Sequence, residues 1–106
     1  MANRSEIYTR AGEELDRLVD RLRGSSREEL LTLIDHPMTS ALEISGKKFS
    51  LGAWAELRDG DRLSVVAGVR RNFILGMSKV QAVGFFVEPE GRITPMIDKD
   101  LWAHGY

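Results

Sequence analysis

The sequence predicts an α+β fold, in which two N-terminal helices pack on one face of a curved five-stranded antiparallel β-meander. Apolar residues recur every three or four positions in the first part of the chain, which is typical of amphipathic helices. From Thr39 onward they alternate at every second position, which is typical of half-buried strands. Short glycine-containing turns separate the alternating runs, and such turns join strands that are neighbours in an antiparallel sheet.

The composition is that of one ordinary globular domain. The chain has 106 residues, of which 42% are hydrophobic and 29% charged, and it contains no cysteine. We therefore expect one domain, residues 1–106, without disulfides, in a reducing cytoplasm. No run approaches the ~20 apolar residues of a membrane span, so we expect no stable membrane insertion. The net charge of −1 comes without a basic stripe, which argues against nucleic-acid binding.

Two helices are predicted, at about residues 4–23 and 27–35. The first has an apolar stripe at helical spacing, and Gly24 ends it as a left-handed cap. Ser26 begins the second, with Glu29 three residues later in the pattern of a capping box. Pro37 ends it, because a proline disfavours helical geometry at the preceding residue. The stripe of the first helix consists of Ile7, Ala11, Leu15, Leu18, Val19 and Leu22.

Five strands are predicted beyond the helices. They cover about residues 39–45, 48–57, 61–71, 79–88 and 92–97, and a single helical turn follows at 99–104. For the first hairpin we predict a two-residue turn of type II′ at Gly46-Lys47, since this turn type takes glycine first. This turn pairs Ile44 with Phe49 and places both on one face of the sheet.

The apolar pattern distinguishes between two possible lengths of the second turn. A two-residue turn at Asp59-Gly60 would put the apolar positions of the two strands on opposite faces of the sheet. A three-residue loop, Arg58-Asp59-Gly60, keeps them on the same face and pairs Ala55 with Leu63. The sequence therefore predicts the longer loop.

The last turn, Glu88-Pro89-Glu90-Gly91, has proline and glycine at the positions that a type I turn with a bulge favours. It pairs Val87 with Ile93. With the three turns fixed, one face of the sheet is apolar and faces the helices. The predicted core of that face is Leu51, Leu57, Val65, Val69, Phe85 and Ile93, with Leu15, Leu18 and Leu22 of the first helix against it.

No pattern of catalytic, cofactor-binding or metal-binding residues is found. His104 follows Asp100 at helical spacing, but one such pair is a weak metal signal because zinc sites use three or four protein ligands. No serine or threonine has a base at a recognisable spacing, and no glycine-rich phosphate loop with its lysine is present. We therefore expect no metal, no cofactor and no catalytic residue, although an enzyme is not excluded.

The face of the sheet turned away from the helices is unexpectedly apolar. In the predicted register this outer patch contains Trp54, Val66, Phe86 and Met96. Aromatic residues and methionine are enriched in the cores of protein interfaces, so the four are candidate interface residues. The alternative is that the C-terminal turn folds back through Leu101 and Trp102 and covers the patch.

The segment between the third and fourth strands, residues 70–79, combines positive charge with apolar side chains. A hairpin tip is normally polar. Either the strands continue further and some of these residues fold inward, or the tip is a second contact surface. The candidates in this segment are Arg70, Arg71, Phe73, Ile74, Leu75 and Met77.

From these surfaces we expect a non-catalytic protein-interaction module, of the immunity-type or regulatory kind found among small bacterial proteins. It would dock through the outer patch and the 70–79 segment, most readily to a second copy as a homodimer. The alternative is a small-ligand-binding or enzymatic roll with its pocket between the helices and the sheet. Against that alternative, the positions facing the helices are almost all apolar, whereas a pocket needs a few convergent polar groups.

Overall fold

The computed structural model describes residues 4–73, 76–97 and 99; for residues 4, 73 and 76–80 it describes the backbone alone. In this part of the chain an N-terminal helix packs on one antiparallel sheet in the order β1-β2-β3-β4-β5, which confirms the predicted α+β meander. The elements are α1 (Arg4–Arg23), α2 (Arg27–Leu31), β1 (Met38–Ile44), β2 (Lys47–Arg58), β3 (Arg62–Phe73), β4 (Gly76–Val87) and β5 (Ile93–Pro95).

Helix α1 lies on the sheet by the stripe that its spacing predicted. All six stripe residues are buried, with Ala11 and Leu15 fully inaccessible to solvent. Near the start of the helix the ring of Tyr8 meets Phe49 of β2 edge to face, with 6.0 Å between the ring centroids. The apolar stripe and this aromatic contact fix which face of the sheet is the core.

Helix α2 is shorter than predicted. It begins at the predicted capping box, in which Ser26 Oγ accepts from the Glu29 backbone N–H at 3.1 Å and Glu29 Oε1 accepts from the Ser26 backbone N–H. It ends at Leu31, and the chain continues through tighter turns in which Leu33 donates to Leu30 and Ile34 donates to Leu31. The predicted region 27–35 is therefore a single α-helical turn followed by 3₁₀-like turns, which often end short helices.

The first hairpin differs from its predicted register by two residues. The turn residues are Ser45 and Gly46, with φ angles of 51° and 79°, and Ile44 pairs with Lys47. Two successive positive φ angles define a type I′ turn, whose twist matches that of the strands. Because the shift is an even number of residues, the apolar positions stay on the predicted face.

The second hairpin has a loop of the predicted length, displaced by one residue. The loop is Asp59–Asp61, and Leu57 pairs with Leu63 where Ala55 was expected. Gly60 and Asp61 both have positive φ angles, 73° and 57°. An aspartate tolerates the left-handed region better than most residues, so glycine is not required at the loop's last position.

The last hairpin has the predicted register. Val87 pairs with Ile93, and the Glu88 backbone N–H donates to the Arg92 carbonyl at 2.8 Å. Gly91 has a φ of 96°, the left-handed conformation expected of it. Here proline and glycine together mark the turn, and no neighbouring choice satisfies both.

Strands β3 and β4 continue into the region assigned to the 70–79 segment. They pair as far as Phe73 and Gly76, and their register shifts between Val69 and Arg70. The first of the two alternatives, longer strands, therefore describes the backbone. Residues 74 and 75 lie outside the described part of the chain.

The predicted core is buried in its centre and exposed at two positions on its margin. Val65, Val69 and Phe85 are buried, and Leu51 is half-buried against the core cluster. Leu57 is 51% exposed and Ile93 is 38% exposed, so their assignment to the core was wrong.

The two exposed positions are the ends of one row across the helix-facing side. Leu57 pairs with Leu63, Leu63 with Val87, and Val87 with Ile93. The two middle residues are buried because they have strands on both sides. Leu57 lies beyond the last residue of β2 that β1 covers, and Ile93 belongs to the edge strand.

Candidate functional site

The predicted outer patch is not a free apolar surface. Val66 is fully buried and Phe86 is 8% exposed, while Trp54 and Met96 are half-buried. The four residues do lie on the face away from α1, and Trp54 pairs directly with Val66. Val66 and Phe86 are therefore not accessible to a partner in this structure. Their role in an interface stays a prediction.

Part of the outer patch is covered by an arginine of β3. The guanidinium of Arg62 stacks over the Phe86 ring at 3.7 Å from its centroid, close enough for a cation–π contact. Arg62 Nε also donates to Glu88 Oε1 at 2.7 Å, and Thr94 Oγ1 donates to the same oxygen at 3.4 Å. The charge pair holds the guanidinium over the ring, so solvent meets polar groups where the pattern predicted an aromatic surface.

A second set of polar contacts, centred on a buried serine, lies beside the patch. Ser64 is fully buried, and its hydroxyl donates to the Glu56 carbonyl at 3.0 Å. Arg58 Nε donates to the same hydroxyl at 3.4 Å, and its guanidinium pairs with the Glu56 carboxylate at 3.1 Å. These contacts satisfy the polar atoms of this end of the face. The alternative cover, the C-terminal turn with Leu101 and Trp102, lies outside the described residues.

Among the candidates of the 70–79 segment whose side chains are described, Arg71 is in contact with the helix layer. Arg71 Nη1 donates to the Tyr8 hydroxyl at 3.1 Å, and its guanidinium lies 5.9 Å from the centre of that ring. Arg70 is half-buried. Ile74, Leu75 and the side chains of Phe73 and Met77 fall outside what is described, so their exposure remains a prediction.

The two outermost strands of the sheet differ in how their free edges are protected. Strand β5 has three residues and ends in Pro95, two of the devices by which natural sheets prevent further pairing. Strand β1 has seven residues, Met38–Ile44, with no proline, lysine or arginine among them. Among the described residues, none pairs with its outer edge.

Strand β4 also extends beyond its pairing with β5, but its edge is irregular. Three residue pairs join the two strands, from Phe85 to Val87. Closer to Gly76, a register shift opposite Val69 and Arg70 interrupts the regular hydrogen bonding between β3 and β4. Lys79 lies at this shift, opposite Arg70. Bulges and lysines both discourage addition of another strand. In the described part of the chain, β1 is the long edge without such a device.

Hairpin geometry identifies the backbone groups that β1 presents outward. In a two-residue hairpin the residues that flank the turn exchange both hydrogen bonds, and such pairs then alternate along the strands. Ile44 flanks the turn, so Ile44, Leu42, Ser40 and Met38 bond to β2. The N–H and C=O groups of the other three residues point away from the sheet. These are Thr39, Ala41 and Glu43, and all three are exposed.

Among the described residues, two clefts adjoin this edge. One, of about 410 Å³, lies where the end of α1 and the α2 region meet Met38 at the start of β1. Its floor contains Leu22, Leu30 and Leu33, and Arg21 on its rim contacts the Met38 sulfur at 3.6 Å. The second, of about 300 Å³, lies beside residues 41–43. We call β1 together with these two clefts the edge site.

The edge site was not among the sequence-based candidates. The sequence does contain evidence for it, because the first strand of an open meander is an edge strand and residues 38–44 include neither proline nor lysine. In the described part of the chain, no group of three or more His, Asp or Glu side chains is placed to hold a metal ion, and no helix is long and apolar enough to cross a membrane. No protein-family model, curated protein or solved structure matches this chain.

Proposed function

We propose that this chain is a non-catalytic protein-interaction module that binds an extended polypeptide segment along the open edge of β1. The observation that carries the proposal is the contrast between the two edge strands. One is three residues long and contains proline, and the other is seven residues long and contains neither proline nor lysine. A free edge of that length is a template for one more strand.

The chemistry of such binding follows from the edge itself. Thr39, Ala41 and Glu43 offer three donors and three acceptors at the spacing of an antiparallel or parallel partner strand. Main-chain hydrogen bonds of this kind give affinity, and pockets beside the strand give specificity. The two clefts at Met38 and at residues 41–43 are placed to receive side chains of the added strand.

Substitution of Ala41 by proline tests the docking edge. Proline removes the outward N–H of residue 41 and no bond to β2, so Ala41→Pro is expected to stop strand addition while the sheet still folds. The matched control is Ala41→Val, which keeps the N–H and favours the strand. Random 12-residue peptides on phage are selected against the wild-type chain, immobilised at low density. Each enriched peptide is then measured against both variants by fluorescence anisotropy.

We expect enriched peptides to bind wild type and Ala41→Val alike, and to lose at least tenfold in affinity for Ala41→Pro. Circular dichroism and thermal melting establish that the proline variant is folded. Peptides that bind all three proteins equally would show that β1 is not the docking strand. Failure to enrich any peptide on the wild-type chain relative to the folded Ala41→Pro variant would likewise contradict the proposal.

A further inference from the structure

We propose that the strand added to β1 is β1 of a second copy, so that two sheets join into one of ten strands about a two-fold axis at Ala41. This inference rests on the proposed function, since it names the partner of the same edge. Its support is that β1 is complementary to itself in one register, in hydrogen bonding, in charge and in apolar surface.

Hydrogen bonding limits the possible registers. Residues whose backbone N–H and C=O groups point away from β2 have to stand opposite the equivalent residues of the partner strand. A two-fold axis through Ala41 meets this condition and pairs all seven residues of the strand. Ala41 then faces the partner's Ala41, and Thr39 faces the partner's Glu43. These pairs exchange both main-chain hydrogen bonds, so the three exposed donors and three acceptors of each copy are satisfied.

The charges favour this antiparallel arrangement. Glu43 is the only charged residue of β1, and it meets a threonine rather than another carboxylate. A parallel pairing would instead bring each carboxylate toward its own counterpart, and like charges directly opposite are destabilising.

The apolar residues of β1 continue the core across the junction. Met38 and Leu42 are half-buried at the margin of the helix-facing side, and Ile44 is buried. In the proposed register Met38 stands opposite the partner's Ile44, and Leu42 stands opposite the partner's Ser40. Each copy therefore covers the partly exposed apolar side chains at the margin of the other copy's core.

Cysteine cross-linking tests the register, and the chain contains no cysteine of its own. The variant Ala41→Cys places two thiols opposite each other, with about 5.5 Å between their Cα atoms, a separation that a disulfide spans. The control Thr39→Cys leaves its two thiols four residues apart along the strands, about 14 Å, which a disulfide cannot span. After mild oxidation the cross-linked fraction is read from non-reducing gels.

We expect Ala41→Cys to cross-link at least tenfold more than Thr39→Cys. We also expect an equimolar mixture of Thr39→Cys and Glu43→Cys to cross-link between the two variants, because residues 39 and 43 face each other. Equal cross-linking of the two single variants would show random collision and overturn the proposal. So would an absence of cross-linking in all of them.

Failure of the self-association can be distinguished from failure of the proposed function. If Ala41→Cys does not cross-link but peptides still bind wild type and not Ala41→Pro, β1 docks a foreign strand and the self-association is wrong. If neither result is obtained, the open edge itself is not a docking element.

Discussion

At the scale of the residue, the contrast between Phe85 and Leu57 separates true core positions from marginal ones. Phe85 is 1% exposed, with the Arg23 guanidinium 5.8 Å from its ring centre, whereas Leu57 is 51% exposed. Phe85→Ala is expected to lower the free energy of unfolding by about 3–5 kcal/mol, since it leaves a cavity. Leu57→Ala should cost only about 1 kcal/mol, because half of its side chain already meets water. Urea denaturation at one fixed protein concentration measures both, and equal losses would mean that the two sites are equally buried.

The same pair of residues shows how far side-chain alternation can predict burial. Alternation correctly placed Leu57 and Ile93 on the helix-facing side, because the period of a strand fixes the face. Exposure on that face depends also on what lies beside and above each residue. Leu57 has no β1 neighbour and Ile93 is in the edge strand, and neither fact is contained in the local pattern.

At the scale of the element, the first hairpin can be tested at Ser45. This residue has a φ of 51°, which serine adopts less readily than asparagine. Ser45→Asn, which creates the favoured Asn-Gly sequence of a type I′ turn, is expected to raise the free energy of unfolding by about 0.5 kcal/mol. Ser45→Val should lower it by about 1–2 kcal/mol, because a branched side chain is strained at positive φ. A neutral or stabilising Ser45→Val would instead favour the Gly46-Lys47 turn, since that register leaves residue 45 in extended backbone.

Both registers that differed from expectation did so by two residues, and this is why the apolar pattern could not detect the difference. An odd shift exchanges the two faces and is excluded, as the rejected turn at Asp59-Gly60 was. An even shift keeps every side chain on its face, so only the turn conformation distinguishes the registers. The last hairpin was predicted correctly because Pro89 and Gly91 together admit a single turn.

At the scale of the whole molecule, the meander and the packing of its helix could be predicted, but the candidate site could not be found from apolar residues. Side-chain patterns describe the faces of a sheet. A docking edge is made of backbone N–H and C=O groups, which every sequence contains. The outer patch contains the aromatic residues Trp54 and Phe86, but the Phe86 ring is already in contact with Arg62, which is paired with Glu88.

Hydrogen exchange of the β1 amides distinguishes an edge-joined dimer from one joined by sheet faces. The amides of Ser40 and Leu42 bond to β2 within one chain, so they should be protected at every protein concentration. Those of Thr39, Ala41 and Glu43 should exchange quickly in dilute solution and slow by about fivefold when the total protein concentration is ten times the dissociation constant. In Ala41→Pro the amides of residues 39 and 43 should stay fast throughout. NMR exchange at several concentrations measures each site, and self-association without new protection at residues 39, 41 and 43 would assign the contact to a face of the sheet.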